Sequence, residues 1–190
     1  MRAHSEGSND ALTEIEGSVL GMIGRKGPCT AYTLRREFME SPSQYWSASS
    51  GSVYPLVRRL ERRRLIRVKR KTRDGREGSL YVLTAAGREA LTDWLNSLDA
   101  TATVSVPPDP LRNRVAFFAL LEHSRRQAVL ARAIERLRSH LERVLAHTER
   151  LKTLGRTFEY LVSDGARRML ESRLEWLLEV ARATGGRGRR

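Results

Sequence analysis

The sequence is poor in the residues on which small extracellular, membrane-spanning and metal-binding proteins depend. Its 190 residues include one cysteine, Cys29, which excludes an intrachain disulfide and favours a reducing, cytoplasmic setting. No apolar run approaches the roughly 20 residues of a membrane span, and the N-terminus lacks the apolar core of a signal peptide. The four histidines have no cysteine or carboxylate partners at metal-ligand spacing. We therefore expect a protein without a membrane segment, metal, cofactor or catalytic nucleophile–base set.

Acidic residues are scarce relative to basic ones. The chain has 22 Asp+Glu against 35 Lys+Arg, a formal net charge of +13 and a pI of about 11.0. The excess is densest between Arg58 and Arg76, where 11 of 19 residues are basic and 2 are acidic. Such a local charge is typical of a surface that meets a polyanion, the alternative being a solvated basic face.

A helix and two short strands overlap this basic run. The apolar residues of the helix recur at i, i+3, i+4 and i+7: Val53, Leu56, Val57 and Leu60. Strands are predicted near 65–71 and 77–83, on either side of Asp74-Gly75, which suits a tight hairpin turn. A helix followed by a basic hairpin is the outline of a winged helix-turn-helix.

The rest of the chain is predicted to be helical, so the fold class is mainly α with a small β wing. Helices are expected over 12–24, where Thr13 and Glu16 form a capping box, 31–39, 85–98, 111–121, 125–154 and 157–184. Inside the 85–98 helix we expect Leu91, Trp94, Leu95 and Leu98 to face inward. Ser52 is a candidate N-cap of the third helix, because Pro55 suits only a first helical turn. Ser49 or Ser50 is the alternative cap, with one backbone hydrogen bond lost at Pro55.

These elements define two domains joined by a linker. We expect a disordered lead over 1–10, a winged helix-turn-helix over 11–98, and a proline-stiffened linker over 99–109. A helical dimerisation domain over 110–184 and a basic tail over 185–190 follow. The heptad seam of the long helix is interrupted once, at Thr148, and the same spacing serves a coiled-coil dimer or packing inside one subunit. The candidate dimerisation residues are Leu130, Ile134, Leu137, Leu141, Val144, Leu151, Leu174, Trp176 and Leu177.

Four stretches resemble the PadR family of bacterial transcriptional regulators. They are E-G-S-V-L-G-M-I at 16–23, T-A-Y-T-L at 30–34, G-S-V-Y-P-L-V-R-R-L-E at 51–61 with the following Leu65-Ile66, and Y-V-L-T-A-A-G at 81–87. R-L-E-W-L-L-E at 173–179 resembles the long C-terminal region of one subfamily. The chain departs from the family pattern at Ala31 and Arg64, where glycine is usual, and at 77–79, where a basic pair is common.

The resemblance implies a homodimeric repressor that binds an inverted repeat in double-stranded DNA. It also implies that a small aromatic effector is a candidate partner. Trp94 and Trp176 are the candidate effector-binding residues, although both are most simply core or interface anchors. Cys29 is interpreted as a packed thiol rather than a redox sensor.

The DNA-contacting residues are expected on the third helix and the wing. In winged helices the third helix enters the major groove with its N-terminal residues near base edges. Tyr54 is either a phosphate contact or a half-buried cover of the core, and the tip arginines are either groove contacts or solvated. The candidates are Tyr32, Ser49, Ser50, Gly51, Ser52, Tyr54, Arg58, Arg62, Lys71, Arg73 and Arg76. The rival function is a winged-helix protein–protein adaptor with a basic face, which would bind DNA weakly and without sequence preference.

Overall fold

A computed structural model describes residues 11–40, 50–70, 79–97, 106 and 109–185, without the side chains of Ser50 and Arg70. The chain divides into two compact units, residues 1–105 and 106–190. The expected lead, most of the linker, Leu98 and the basic tail beyond Gly185 lie outside the described residues. No helix in the described part of the chain combines the length and apolar character that crossing a bilayer requires.

The described part of the first unit contains four helices and a two-stranded antiparallel sheet. In chain order these are α1 (Glu14–Lys26), α2 (Ala31–Glu40), a 3₁₀ turn (Ser50–Ser52), α3 (Val53–Arg62), β1 (Ile66–Arg70), β2 (Leu80–Leu83) and α4 (Ala85–Asn96). Leu83 pairs with Ile66 and Tyr81 with Val68, and the register is irregular between Val68 and Arg70. Helix-turn-helix and wing thus follow each other as the sequence predicts.

The core of this unit is the set of apolar faces that the helical spacing predicts. Fully or almost fully buried side chains come from all three leading helices and the sheet: Val19, Leu20, Ile23, Leu34, Phe38, Val53, Leu56, Val57, Leu60 and Ile66. Burial of each large side chain contributes roughly 1.5–3 kcal/mol. The core therefore fixes which side of α3 remains available to solvent.

Helix boundaries differ from the sequence prediction where glycine was taken as a stop. The capping box is confirmed, with Glu16 N–H donating to Thr13 Oγ1 at 3.4 Å and Thr13 N–H donating to Glu16 Oε2 at 3.0 Å. The helix continues past Gly24 to Lys26 and ends at Gly27, whose φ is +77°. Gly24 is therefore a helical residue, and its missing side chain leaves room for Leu83 and Leu91 to pack against α1.

Helix α4 corrects a predicted core position. Leu91 and Trp94 are half-buried, but Leu95 is 61% exposed and does not face inward. The buried stripe runs through Gly87, Ala90, Leu91 and Trp94. At about 100° per residue, Leu95 falls about 40° beyond Leu91, just outside that stripe.

The second unit is built around two long helices. Its elements are α5 (Pro110–Val115), a 3₁₀ turn (Phe118–Leu120), α6 (His123–Thr153) and α7 (Thr157–Gly185). Asp109 caps α5 by accepting from the N–H of Leu111 at 2.9 Å, with Pro110 at the first helical position as predicted. The predicted single helix over 111–121 is wrong, because it ends at Val115 and only Phe118 of the following turn is buried.

The heptad seam of α6 packs inside the subunit. The two long helices form a hairpin that turns at Gly155, whose φ is +66°. Leu130, Ile134, Val144, Leu151 and, on α7, Leu177 are at most 9% exposed within one chain. The prediction that these five contact a second copy is corrected, because the facing helix of the same chain already covers them. Leu137, Leu141, Leu174 and Trp176 are half-buried.

Candidate nucleic-acid interface

Helix α3 has one buried side and one basic, solvent-exposed side. The buried side faces α1 and α2. On the exposed side, Tyr54 is 47% accessible, and Arg58 and Arg62 lie one and two turns further along. Together with Pro55 and Glu61 they line a shallow groove of about 650 Å³. The structure thus brings three of the predicted contact residues onto one continuous surface.

The start of α3 is exposed on its described side. Ser52 stands at the N-cap position in helical conformation and its side chain makes no capping hydrogen bond, so its predicted capping role is wrong. Gly51 and Ser52 are exposed, and a Cβ added at Gly51 would meet no described atom within 4 Å. The N-terminus of a helix attracts phosphate because its backbone N–H groups point toward the anion. Ser49 lies outside the described residues, as does the side chain of Ser50.

A buried carboxylate on α1 fixes two arginines at the C-terminal end of α3. Glu16 is 3% exposed, and its Oε1 accepts from Arg59 Nε at 2.9 Å and from Arg63 Nη1 at 3.3 Å. Burial disfavours the charged carboxylate, but hydrogen bonds from the Thr13 backbone and Arg59 outweigh burial and hold the pKa of Glu16 below its ordinary value. Sequence reasoning missed this contact because 43 residues separate Glu16 from Arg59. Glu16 thus holds Arg59 and Arg63 against α1, whereas Arg58 and Arg62 remain on the solvent-exposed side of α3.

Helix α2 adds a second exposed surface that sequence reasoning identified only through Tyr32. Tyr32 is 62% exposed, and it borders a groove with Arg35, Arg36, Met39 and Glu40, in which Arg36 pairs with Glu40 at 3.6 Å. Lys26 Nζ contacts Glu37 Oε1 at 2.5 Å and so ties the end of α1 to α2. The adjacent basic pair Arg35-Arg36 was the available signal for this surface.

The wing presents its basic residues on one side of β1. Arg67 and Lys69 are exposed, whereas Ile66, the first residue of the strand, is buried. The alternation of basic and apolar residues along 66–69 was the sequence signal for this outward row. Lys71, Arg73 and Arg76, the predicted contacts at the wing tip, lie outside the described residues.

A short third pairing anchors the base of the wing. Cys29 and Tyr81 exchange both backbone hydrogen bonds, Tyr81 N–H donating to the Cys29 carbonyl at 2.9 Å. Burial raises the pKa of the Cys29 thiol, which disfavours the reactive thiolate. This supports the interpretation of Cys29 as a packed residue.

The segments that connect α3 to the wing and the wing to α4 contain a left-handed backbone angle and a close backbone approach. Arg64 has φ of +57°, the left-handed region that glycine occupies most easily. Gly87 is obligatory, because a Cβ there would lie 1.9 Å from the carbonyl oxygen of Leu65. Thr84 Oγ1 donates to the Arg64 carbonyl at 2.8 Å and accepts from Gly87 N–H at 2.9 Å. These contacts fix where the wing leaves the helix.

The two candidate effector tryptophans border separate cavities, one in each unit. Trp94 packs over Gly17 in the first unit, and its Nε1 donates to Glu14 Oε1 at 3.3 Å. The cavity beside it holds about 560 Å³ and carries the acidic side chains Glu89 and Asp93 together with Arg63.

The Trp176 cavity in the second unit has the opposite charge. It holds about 590 Å³, and Trp176, Met169 and Leu170 supply its apolar wall. Its cationic side chains are Arg112, Arg168 and Arg173. Arg173 Nη2 pairs with Asp109 Oδ1 at 2.7 Å, which holds that arginine in the cavity wall. The two cavities therefore favour ligands of opposite charge.

One side of α7 exposes large apolar residues. Phe158 is 79% exposed, Leu161 55%, Val162 73% and Met169 66%. At about 100° per residue, these residues and Trp176 fall on one face of the helix. We call this set the α7 apolar face. Contiguous exposed apolar surface of this kind is typical of a protein–protein contact.

Sequence comparison finds a likeness to a known family over part of the first unit. Residues 19–93 match the Transcriptional regulator PadR-like family. The chain is similar to the negative transcriptional regulator PadR of Bacillus subtilis (strain 168), with 30% identity over 82 residues. These residues are 43% of this chain and 44% of the relative, so the match spans less than half of the relative's length.

Comparison with solved structures extends the likeness in fold to most of the chain. The crystal structure of Bacillus subtilis PadR in complex with operator DNA matches with a TM-score of 0.77 and 22% identity, over 90% of this chain and 98% of that one. Bacillus subtilis PadR in complex with p-coumaric acid matches with a TM-score of 0.71 and 20% identity, over 91% and 96%. At these identities the likeness establishes the winged-helix fold with its helical C-terminal region.

Proposed function

We propose, from the match of residues 19–93 to the PadR-like family, that the chain is a sequence-specific DNA-binding transcriptional repressor. It binds an inverted-repeat operator as a homodimer. The observation that carries the proposal is the exposed basic side of α3, set by a core that buries the opposite side. A protein of the same fold that crystallised with operator DNA supports it. The proposed role is regulatory rather than enzymatic, and it is exerted in the cytoplasm, where the DNA lies.

The proposed DNA contact divides between base edges and phosphates. Helix α3 enters the major groove with its N-terminal end, so Gly51, Ser52 and Tyr54 approach base edges or the nearest phosphates. Arg58 and Arg62 follow on the same face and bind guanine or phosphate. Tyr32 of α2 lies on an exposed surface beside Arg35 and Arg36, from which it contacts the phosphate backbone of the DNA. Lys71, Arg73 and Arg76 complete the predicted set from the wing tip.

The test of this function is operator binding by α3 variants. DNA upstream of the gene and of its neighbours is searched for an inverted repeat and then titrated with the full chain. We expect affinity for the repeat to exceed that for random duplex by roughly 10³-fold. Arg58→Ala and Arg62→Ala should each weaken operator binding by about tenfold, within the range of about 1–3 kcal/mol for such a contact. The control Arg88→Ala removes the same charge from an exposed position of α4 and should bind like wild type.

The winged-helix adaptor is the outcome to which a negative result would point. Weak, salt-sensitive binding with the same affinity for every duplex would contradict the repressor and favour the adaptor. Equal losses in Arg58→Ala and Arg88→Ala would also contradict it, because only overall charge would then matter.

The homodimer in this proposal forms through the α7 apolar face rather than through the α6 seam. The seam is filled within one subunit, whereas Phe158, Leu161, Val162 and Met169 remain exposed. A dimer places two α3 helices on successive major grooves, about 34–36 Å apart, as an inverted repeat requires.

We also propose that a small aromatic carboxylate releases the operator, with Trp176 rather than Trp94 as its aromatic contact. The cavity beside Trp176 has three arginines against one carboxylate, Asp109, and this excess of positive charge favours an anionic ligand even though Arg168 and Arg173 pair with Asp164 and Asp109. Glu89 and Asp93 beside Trp94 repel a carboxylate. The p-coumaric acid complex of the Bacillus subtilis protein supports this ligand class. Release requires the ligand to bind the operator-free state more tightly than the bound one.

Tryptophan fluorescence and operator binding, followed in parallel with p-coumaric acid, test the effector proposal. We expect the ligand to quench wild type and weaken operator binding, and Trp176→Leu to abolish both effects. Trp94→Leu is the matched control and should keep both. Quenching without a change in operator affinity would contradict the coupling between ligand and DNA.

A further inference from the structure

The long helix α6 carries a line of arginines on its solvent side. Arg125, Arg132, Arg136, Arg143 and Arg150 are all exposed. Their spacing of 7, 4, 7 and 7 residues keeps them within about 40° of one another around the helix axis. At 1.5 Å per residue the line extends for about 38 Å. We call these five residues the α6 arginine line. It lies opposite the buried seam, so packing within the subunit does not explain it.

None of these five arginines forms an ion pair with a described residue. Arg143 has one side-chain contact, Nη2 to His140 Nδ1 at 3.4 Å. Four of the five arginines of α7 and its preceding turn behave differently, because they have a carboxylate partner at 2.6–2.8 Å: Arg156, Arg167, Arg168 and Arg173. The same unit therefore neutralises one group of arginines and leaves the other open.

The acidic residues of α6 are placed away from the arginine line. Glu135, Glu142 and Glu149 recur every seven residues on a neighbouring line, roughly 100° around the helix. Arg132 and Arg136 are four residues apart, where like charges destabilise a helix by a few tenths of a kcal/mol. An uncompensated row of this kind is stabilised when a polyanion lies along it.

From these observations we propose that the α6 arginine line binds the phosphate backbone of double-stranded DNA without reading its sequence. This surface adds to the proposed function, and it rests on that function only in that the chain acts on DNA. The C-terminal unit would thus contribute affinity while α3 contributes specificity.

The chemistry of the surface favours a nucleic acid over a protein or a membrane. Within α6, all of which the structure describes, Leu145 is the one large hydrophobic residue exposed by more than a third, and it lies about 160° from the arginine line. Protein interfaces have an apolar core, and a surface helix that enters a bilayer carries large apolar side chains on one face. Arginines separated by small and polar residues match a wet contact with successive phosphates.

The experiment compares two full-length variants from which the same charge is removed. The line variant is R132Q/R136Q/R143Q/R150Q. The control variant is R114Q/R138Q/K152Q/R182Q, four exposed basic residues of the same unit that lie off the line. Binding of a fluorescent random duplex is measured against salt concentration. In the line variant, the slope of log K against log[salt] should fall by about 0.9 for each phosphate that is no longer neutralised, up to about 3.6. The control should change much less.

Equal slopes in the two variants would overturn the proposal, since binding would then depend on net charge alone. Polyglutamate provides a second arm. If it displaces the duplex from wild type but not from the line variant at equal charge concentration, the surface is a site for an acidic protein, and the DNA proposal is overturned. Circular dichroism of both variants establishes that the helices are intact.

The outcome is independent of the repressor proposal. Operator preference over random duplex depends on Arg58 and α3, whereas the slope on random duplex reports the α6 arginine line. Loss of operator preference with a line-dependent slope would contradict the repressor alone. Operator preference with equal slopes in both variants would contradict the arginine line alone.

Discussion

At the residue scale, a single buried carboxylate links the first helix to the proposed recognition helix. Glu16 serves two purposes, because one oxygen closes the capping box with Thr13 and the other holds Arg59 and Arg63. A buried charge is tolerated only when it is paired and hydrogen-bonded. Glu16 meets both conditions, so its ionisation is linked to folding.

Glu16→Gln should lower the free energy of unfolding by about 2 kcal/mol at neutral pH, because two arginines are deprived of their charged partner. The folded pKa of Glu16 is lowered, so its contribution is fully present above the unfolded value of about 4.3 and is lost as pH falls through the folded pKa. Urea unfolding across this acid range should therefore show a weaker pH dependence in the variant. An unchanged pH profile would show that Glu16 is not linked to folding.

Arg64 is the position where one side chain opposes the local backbone. A non-glycine residue with left-handed φ costs roughly 1–2 kcal/mol, and part of the gain from glycine is offset by the greater freedom of the unfolded chain. Arg64→Gly should therefore raise stability by about 0.5–1 kcal/mol, seen as a higher Tm. Arg64→Ala removes the same charge but keeps the Cβ and should give no such gain. Equal stabilisation by both would mean that charge, not backbone strain, is relieved.

At the element scale, a pair of buried hydroxyls sets the register of the long hairpin. Thr148 interrupts the apolar seam of α6, and its Oγ1 lies 2.7 Å from Ser163 Oγ on α7. The single Thr148 proton is donated to the Val144 carbonyl at 2.7 Å, so Ser163 donates to Thr148. The polar residue in the heptad pattern is thus matched by one on the facing helix.

This direction of donation predicts an asymmetry between two substitutions. Thr148→Val leaves the buried Ser163 hydroxyl without its acceptor and should cost about 1–3 kcal/mol. Ser163→Ala leaves Thr148 bonded to Val144 and should cost about 1 kcal/mol or less. The double variant should be more stable than the sum of the two losses implies, as measured by denaturant unfolding. Additive losses would contradict a direct bond between the hydroxyls.

At the scale of the whole molecule, surface composition distinguishes the two long helices. α6 presents the arginine line to solvent, and α7 presents the α7 apolar face. An exposed row of large hydrophobic residues favours association of two copies, whereas a row of cations opposes it unless an anion intervenes. The two proposals therefore place assembly on α7 and phosphate binding on α6.

The double variant Leu161→Glu/Val162→Glu should be a folded monomer at micromolar concentration, because two charges would have to be buried in the proposed interface. Its operator affinity should fall sharply, since the two half-sites would no longer be bound by one linked pair of domains. Sedimentation velocity gives the mass. Leu145→Glu places the same group on an exposed apolar residue of α6 and should remain dimeric. Dimers in both variants would contradict an interface on the α7 apolar face.

Local spacing and capping signals in the sequence are enough to establish the order of elements and the face of each leading helix that is buried. The i, i+3, i+4, i+7 spacing identified the core side of α3, and Thr13 with Glu16 identified the start of α1, because periodicity and capping are local properties. The exposed positions of Tyr54, Arg58 and Arg62 follow from the same spacing. The charge excess around them needed no structure to be recognised.

The tertiary structure decided which partner each face meets. The apolar spacing of the α6 seam is the same in a coiled-coil dimer and in a hairpin within one subunit. Only the position of α7 shows that the seam packs within one subunit. Leu95 and the break after Val115 differ from prediction because burial depends on what lies opposite a helix, which local spacing does not encode. Three contacts join segments that are distant in sequence. Glu16 binds Arg59, Thr84 binds the carbonyl of the left-handed Arg64, and the Leu65 carbonyl excludes a side chain at Gly87. Such contacts arise only when the chain is folded.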